Sequence, residues 1–209
     1  MTRERLDPFI AAQASSVRTL DIGCSNSPYA DLFPNRVGFD IEAGEGVDVI
    51  GDAHSLPFKD GEFEQVLCTE VLEHLHTPQK AIDEISRVLK PGGKLILTTR
   101  FLFPLHDVPG DYFRYTKYGL LHLFREWEIL MLEEETTTMG TFSILLQRIA
   151  FQSEVRGGKF TKMILLVLAR LVYTAQWLIK KEYGTHNRSV LREEKSIMTS
   201  GYYFVGRKL

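Results

Sequence analysis

The chain has 209 residues, 44% of them hydrophobic and 25% charged, with a formal net charge of −2. That length suits one α/β domain with room for a small insertion, and it can bury a substantial core. The composition excludes a disordered chain, and the balanced charge gives no overall attraction to nucleic acid.

The N-terminal segment MTRERLDPFIAAQ lacks the apolar core of a secretory signal, so export is not expected. Residues 17–22 form a short apolar run closed by glycine, the pattern of a buried strand. Ser27 and Pro28 then read as a helix start, with serine as the cap and proline at the first helical position. Residues 36–41, 47–50 and 65–68 read as further strands. Residues 77–89 read as a helix, because Ala81, Ile82, Ile85, Val88 and Leu89 share one face. Pro91-Gly92-Gly93 should end it before a fifth strand over 94–99. Helices are expected at 117–124, 142–151 and, as a long apolar stretch, 160–181. Strands are expected at 127–135 and 202–206.

Strands alternating with helices imply a mostly parallel sheet with right-handed crossovers. Ligands of such sheets bind beyond the carboxyl ends of the strands, so the residues after each strand carry the argument. Cys24 and Cys68 are far apart, each beside a strand-like run. They offer neither a disulfide framework nor zinc spacing, and two reduced thiols in a cytoplasmic protein are expected.

Four post-strand segments stand out. Asp21-Ile22-Gly23-Cys24-Ser25-Asn26-Ser27 supplies small residues that let backbone approach a ligand, with N–H donors at a helix start. Gly38-Phe39-Asp40 ends a strand on a carboxylate able to accept both hydroxyls of a ribose. Gly51-Asp52-Ala53-His54-Ser55-Leu56-Pro57-Phe58 is the third, and Thr69-Glu70-Val71-Leu72-Glu73-His74-Leu75 the fourth, with Leu89-Lys90-Pro91-Gly92-Gly93 behind it. In this order and spacing they resemble a class I S-adenosylmethionine-dependent methyltransferase, of the broad group that includes ubiquinone and menaquinone biosynthesis methyltransferases. The resemblance covers roughly the first half of the chain.

It implies a Rossmann-like α/β fold: a seven-stranded, mostly parallel sheet with helices on both faces and a helical insertion before the last strand. One methyltransferase domain would span 1–209, with a cofactor-binding core over 1–135, an acceptor-shaping insertion over 136–200 and a final strand over 201–209. S-adenosylmethionine is the implied cofactor. Asp21, Gly23 and Cys24 would border its methionine part and Asp40 its ribose hydroxyls. Asp52 would meet the adenine amino group, with the Ala53 backbone beside it, and Thr69 would lie along the cofactor. This chain departs from the family at Ser25, and often at Ser27, where glycine is usual; serine disfavours positive φ.

The cofactor's sulfonium is already a strong electrophile, so the protein must chiefly align a nucleophile, and a hydroxyl nucleophile benefits from a base. Two constellations offer one. The segment from Phe103 to Thr116 packs His106, Asp111, Tyr112, Arg114 and Tyr115 into a short stretch after the fifth strand. His106 is the expected base, Arg114 a holder of carboxylate or phosphate, and Asp111 and Tyr115 their companions at the acceptor. The segment is similar to one in methyltransferases encoded near bacterial surface-polysaccharide genes. The competing reading is a structural loop, with Arg114 paired to Asp111 and the aromatics packed. The second constellation is Glu70, Glu73 and His74, which on one helical turn would converge. It resembles the metal site of some ubiquinone-pathway O-methyltransferases and small-RNA 2′-O-methyltransferases, with His106 placed like the later histidine of the RNA enzymes. Many relatives with this motif use no metal, so a divalent cation is a secondary expectation. His54 and His76 read as ordinary surface or loop histidines.

Residues 163–179 are apolar except for Arg170, Thr174 and Gln176, with Lys162, Lys180 and Lys181 flanking them. On a helical wheel these polar groups gather on one side, leaving an apolar face roughly 200° wide. Such a helix either packs in a core or dimer, or lies at a membrane interface at the inner membrane face to reach a lipid-linked substrate. The expected function is O-methylation of a sugar or lipid-linked glycan hydroxyl. The alternatives are a quinone-like or other small aromatic acceptor, and a binding module that holds S-adenosylmethionine without transferring methyl. A nucleic-acid acceptor is not expected, since there is no basic stripe.

Overall fold

A computed structural model describes residues 3–25, 29–186 and 190–209. The expected helix start at Ser27 and Pro28 lies outside the described residues. The chain divides into two compact units, a larger one of Arg3–Arg100, Leu105–Glu133 and Tyr202–Leu209 and a smaller one that includes Phe101–Pro104 and Glu134–Gly201.

In chain order the strands are β1 (Thr19–Ile22), β2 (Arg36–Asp40), β3 (Val49–Ile50), β4 (Phe63–Thr69), β5 (Leu89–Arg100), β6 (Trp127–Glu134), β7 (Glu182–His186), β8 (Val190–Glu194) and β9 (Gly201–Lys208). Seven form one mixed, mostly parallel sheet in the order β3-β2-β1-β4-β5-β9-β6. β1 pairs in parallel with β2 on one side and β4 on the other, and β4 pairs in parallel with β5. The chain therefore winds outward from β1 to β3 and then returns to start the other half at β4. That reversal opens a crevice at the carboxyl ends of β1 and β4.

The larger unit holds its sheet through apolar runs. All four residues of β1 are buried. Helix α2 (Pro78–Val88) buries Ala81, Ile82, Ile85 and Val88, the stripe read from the sequence. Helix α1 (Arg3–Ala11) was not legible: it is short, carries Pro8 internally and has no strong periodic signal. Tertiary packing stabilises it instead. Leu6 and Ile10 join Phe33, Leu67, Ile96 and Tyr203 in one buried cluster, and Phe9 stacks on Tyr203 with ring centroids 4.6 Å apart. Helix α3 (Lys117–Leu123) is capped by Thr116, whose Oγ1 accepts from Gly119 N.

Pro91-Gly92-Gly93 does not separate helix from strand as expected. Helix α2 ends at Val88, and β5 begins at once and runs through these residues. Phe63 faces Leu89 while Gln65 faces Lys94, so the extra residues form a bulge, exposed at Lys90, Pro91 and Gly92 and buried at Gly93. A bulge is where proline and glycine fit in a strand, because neither is asked for a ladder hydrogen bond there.

In the smaller unit, α4 (Thr138–Gln152) packs on α5 (Gly158–Thr174). The small residues Ser143 and Ala169 meet between them, with Ser143 Oγ donating to Ala169 O at 2.8 Å. A 3-10 turn at Ala175–Leu178 follows, so the α-helix expected to reach residue 181 ends at Thr174. β7 and β8 pair antiparallel in a region expected to be helical. Both are five residues long, and apart from Tyr183, Val190 and Leu191 their residues are polar or glycine, so they offer no clear alternation to read.

Candidate active site

A cavity of about 500 Å³ opens in the larger unit beyond the carboxyl ends of the first four strands. Its wall takes Gly23 from after β1, Asp40, Ile41 and Glu42 from after β2, and Asp52, Ala53 and His54 from after β3. Val71, His74, Leu75 and His76 come from after β4, and Asp107, Gly110 and Tyr112 from the loop after β5.

The turn after β1 is built for close approach. Gly23 has φ +71°, and a Cβ there would lie 2.2 Å from Val71 Cγ2. Its N–H donates to Phe39 O at 2.8 Å, tying the turn to β2. Ser25, in the place where glycine is usual, adopts φ +28°. Its N–H donates to Asp40 Oδ2 at 2.9 Å, and Glu42 N–H donates to Asp40 Oδ1 at 3.3 Å. The Asp40 carboxylate thus fixes the turn while standing on the cavity wall. Beside it, Ile41 is 70% exposed, an apolar surface at the rim. Asp21, Cys24 and Thr69 are not part of this wall. Asp21 is buried, with Arg36 Nη1 at 3.4 Å, and Cys24 Sγ donates to Gly46 O. Burial pushes the Cys24 thiol up, and that of Cys68 further.

At the third strand, Asp52 Oδ1 accepts from His54 N–H at 2.8 Å and meets His54 Nδ1 at 2.6 Å. Thr77 N–H donates to His54 Nε2, so the ring carries its proton on Nδ1. The backbone bond from His54, followed by its side chain, holds the Asp52 carboxyl below its ordinary value. His54 stacks on His76 with centroids 4.2 Å apart, and Tyr112 meets His76 edge-on. Expected to be incidental, both histidines stand on the wall. The sign available in the sequence was their position after strands, which the motif reading spent on Asp52 and Thr69 alone.

The loop after β5 is pinned to the loop after β4. Glu73 O accepts from Tyr112 N–H and Phe113 N–H at 3.0 and 3.1 Å. Arg114 donates twice to Asp111, at 2.5 and 2.6 Å, and once to Phe113 O. That guanidinium holds the Asp111 carboxyl down to about 2. Tyr115 is buried and its hydroxyl donates to Leu72 O at 3.1 Å, with burial pushing its pKa up. Arg114 and Tyr115 thus make the contacts of the competing, structural reading of this loop, with Arg114 paired to Asp111 and the Tyr115 ring packed. Asp111 contributes stability above its unfolded pKa of 3.8 and loses it as pH falls through about 2. In urea melts, the excess stability of the wild type over Asp111→Ala should hold constant above about pH 5 and shrink between about pH 4 and 2.

Glu70 was expected to converge with Glu73 and His74 on one helical turn, and it does not. Its φ is +58°, so a separate 3-10 turn, Leu72–His74, starts after it. Its carboxylate accepts from Thr98 Oγ1 and pairs with Arg100. Donors that do lie within 4.8 Å of one another belong to Glu73, His74 and His106, and a second such group is Asp52, His54 and His76. The Glu73 side chain is fully buried, and burial raises its pKa. Oε2 accepts from Thr99 Oγ1, while Oε1 has no hydrogen-bond partner, with His106 Nε2 at 3.9 Å. His106 Nδ1 lies 3.4 Å from Asp111 Oδ2. His106, the expected base, is held between two carboxyl groups and is not on the cavity wall. His74 is on the wall. Its Nδ1–H donates to Gly110 O at 2.8 Å, which leaves the lone pair of the neutral ring on Nε2.

Residues 20–97 match a family described as a methyltransferase domain. Over 94 residues the chain is 38% identical to a demethylmenaquinone methyltransferase from Renibacterium salmoninarum, covering 38% of this chain and 40% of that relative. Over 91 residues it is 31% identical to the ubiquinone biosynthesis O-methyltransferase of Pectobacterium atrosepticum, covering 43% and 36%. The matched stretches thus span less than half the length of these relatives. Among solved structures, the Burkholderia thailandensis 1,6-didemethyltoxoflavin-N1-methyltransferase, holding its substrate and S-adenosylhomocysteine, superposes with a TM-score of 0.55 at 13% identity. That superposition covers 99% of this chain and 77% of the other. Residues 20–97 thus resemble a methyltransferase domain, and the whole chain shares the fold of the solved methyltransferase structure. Its sequence likeness over that stretch includes quinone-biosynthesis methyltransferases.

Proposed function

We propose that this chain transfers the methyl group of S-adenosylmethionine to an acceptor hydroxyl. The supporting observation is the wall of the cavity, where a close-approach glycine, a ribose-type carboxylate and an adenine-side carboxylate follow three neighbouring strands. Gly23 leaves room for the methionine part. Asp40 offers acceptor lone pairs to a ribose diol, and exposed Ile41 offers an apolar surface to the adenine ring. Both His54 bonds fall on Asp52 Oδ1, so Oδ2 keeps its capacity to accept from an amino group. When bound, the cofactor supplies an electrophilic methyl group, and the protein's task is alignment and proton removal.

His74 Nε2 is the group that takes the hydroxyl proton in this reading. The three-donor cluster is sized for a divalent cation, which would lower the hydroxyl pKa. Glu73 is fully buried, however, and its Oε2 is already engaged by Thr99 Oγ1, so the proposed chemistry is metal-free. His74→Gln is expected to lower turnover about a hundredfold and to move cofactor affinity less than about threefold, with wild-type turnover unchanged by a chelator. The readout is S-adenosylhomocysteine release. A larger loss in His106→Ala than in His74→Gln would put the base at His106.

For the acceptor we favour a sugar hydroxyl, as on a lipid-linked glycan. Tyr112, on the wall and 53% exposed, offers an aromatic face to a sugar ring. The quinone-pathway names of two relatives favour the second reading, an aromatic hydroxyl. S-adenosylhomocysteine release with a polyprenyl-linked saccharide but not with a catechol-type quinol supports the first, and the reverse result the second. Cofactor binding with no release across the panel would instead mark a binding module.

A further inference from the structure

We infer that the outward face of α5 is a docking surface for an anionic lipid bilayer, with the helix lying in the plane of the membrane rather than crossing it. Vesicle binding requires no methyl transfer, so this inference stands or falls apart from the reaction proposed above.

The helix is apolar on both faces. Ala169 is buried, and around it Leu165, Leu166, Val172 and Tyr173 are half-buried on the same side. On the opposite side Phe160, Met163, Ile164, Val167, Leu168 and Leu171 are exposed by 43% to 66%. At the 100° step of a helix these six form one continuous stripe over three turns. A helix that meets only protein and water carries polar residues there. The expected gathering of polar groups on one side is thus not what faces outward: Lys162 is half-buried, and Arg170 borders the apolar stripe. Trp177, just past the helix, is 76% exposed, as suits a residue at a headgroup boundary.

Charge selects the occupant. Between residues 155 and 181 stand Arg156, Lys159, Lys162, Arg170, Lys180 and Lys181, with no Asp or Glu, in a chain whose net charge is −2. A second copy presenting the same face would bring the same cations and be repelled. An anionic headgroup layer matches them, and long basic side chains reach it while their stems stay on the apolar surface. The stretch Gly158–Leu178 is long enough to span a bilayer, but Arg170 sits inside it, which opposes crossing.

The test is sedimentation of the 209-residue chain with phosphatidylcholine vesicles, with and without phosphatidylglycerol. Binding is expected only with the anionic lipid, and should weaken as salt is raised. Val167→Glu with Leu171→Glu should weaken it at least about tenfold, as should Lys159→Glu with Lys162→Glu. These positions are exposed or half-buried, and circular dichroism together with unchanged S-adenosylmethionine binding will show that the variants fold. No sedimentation with either vesicle would overturn the inference, as would undiminished binding by the folded variants. So would self-association that the Val167→Glu, Leu171→Glu variant abolishes in a chain that ignores vesicles.

Discussion

Replacing Asp40 with alanine is expected to weaken S-adenosylmethionine binding about a hundredfold. Two losses add. The carboxylate accepts backbone N–H bonds from Ser25 and Glu42, and without it the turn after β1 loses what holds Ser25 at positive φ. The same carboxylate stands on the cavity wall, where the proposed function has it accept from a ribose diol. Hydrogen bonds to a charged group are worth about 1.5–3 kcal/mol each, and one such bond plus a loosened turn reaches the expected factor. Asp40→Asn separates the two. Its amide oxygen still accepts a bond from the turn but lacks the charge, so an intermediate loss is expected. Equal affinity in wild type and Asp40→Ala would remove Asp40 from the site.

The second large effect is at Gly23. Gly23→Ala should cost about a hundredfold in cofactor affinity and lower the melting temperature. Holding an L-residue at φ +71° costs about 1–2 kcal/mol. The added Cβ would also sit 2.2 Å from Val71 Cγ2, and such overpacking costs about 1–3 kcal/mol more. Val71 is itself on the cavity wall, so relieving the clash moves the wall. Adding Val71→Ala should restore part of the melting temperature by clearing the clash, without relieving the backbone term. Wild-type affinity and stability in Gly23→Ala would mean that the turn is not under this constraint.

Much of the first half was legible because buried parallel strands are apolar runs closed by small and polar residues. β1, β2 and β4 fall within two residues of the ranges read from the sequence, and Gly23, Asp40, Asp52 and Ala53 stand on one cavity. Side-chain direction was not legible. Glu70, Glu73 and His74 share a helical spacing, but positive φ at Glu70 breaks the turn and sends its carboxylate to Thr98 and Arg100. Arg114 and His106 looked equally available in a loop of polar residues. Only the fold decides that Arg114 closes on Asp111 and that His74, not His106, reaches the wall. α1 and the β7–β8 pair were missed because their signals are tertiary: one depends on Tyr203 and its cluster, the other on pairing between two short strands without clear alternation.

The central claim is that the crevice beyond β1 to β4 holds S-adenosylmethionine. Isothermal titration calorimetry of the 209-residue chain tests it most directly, with S-adenosylmethionine and S-adenosylhomocysteine as titrants for wild type and Asp40→Ala. Saturable binding of one molecule per chain, weakened by the substitution, is the predicted result. No binding of either titrant by the folded wild-type chain would contradict it.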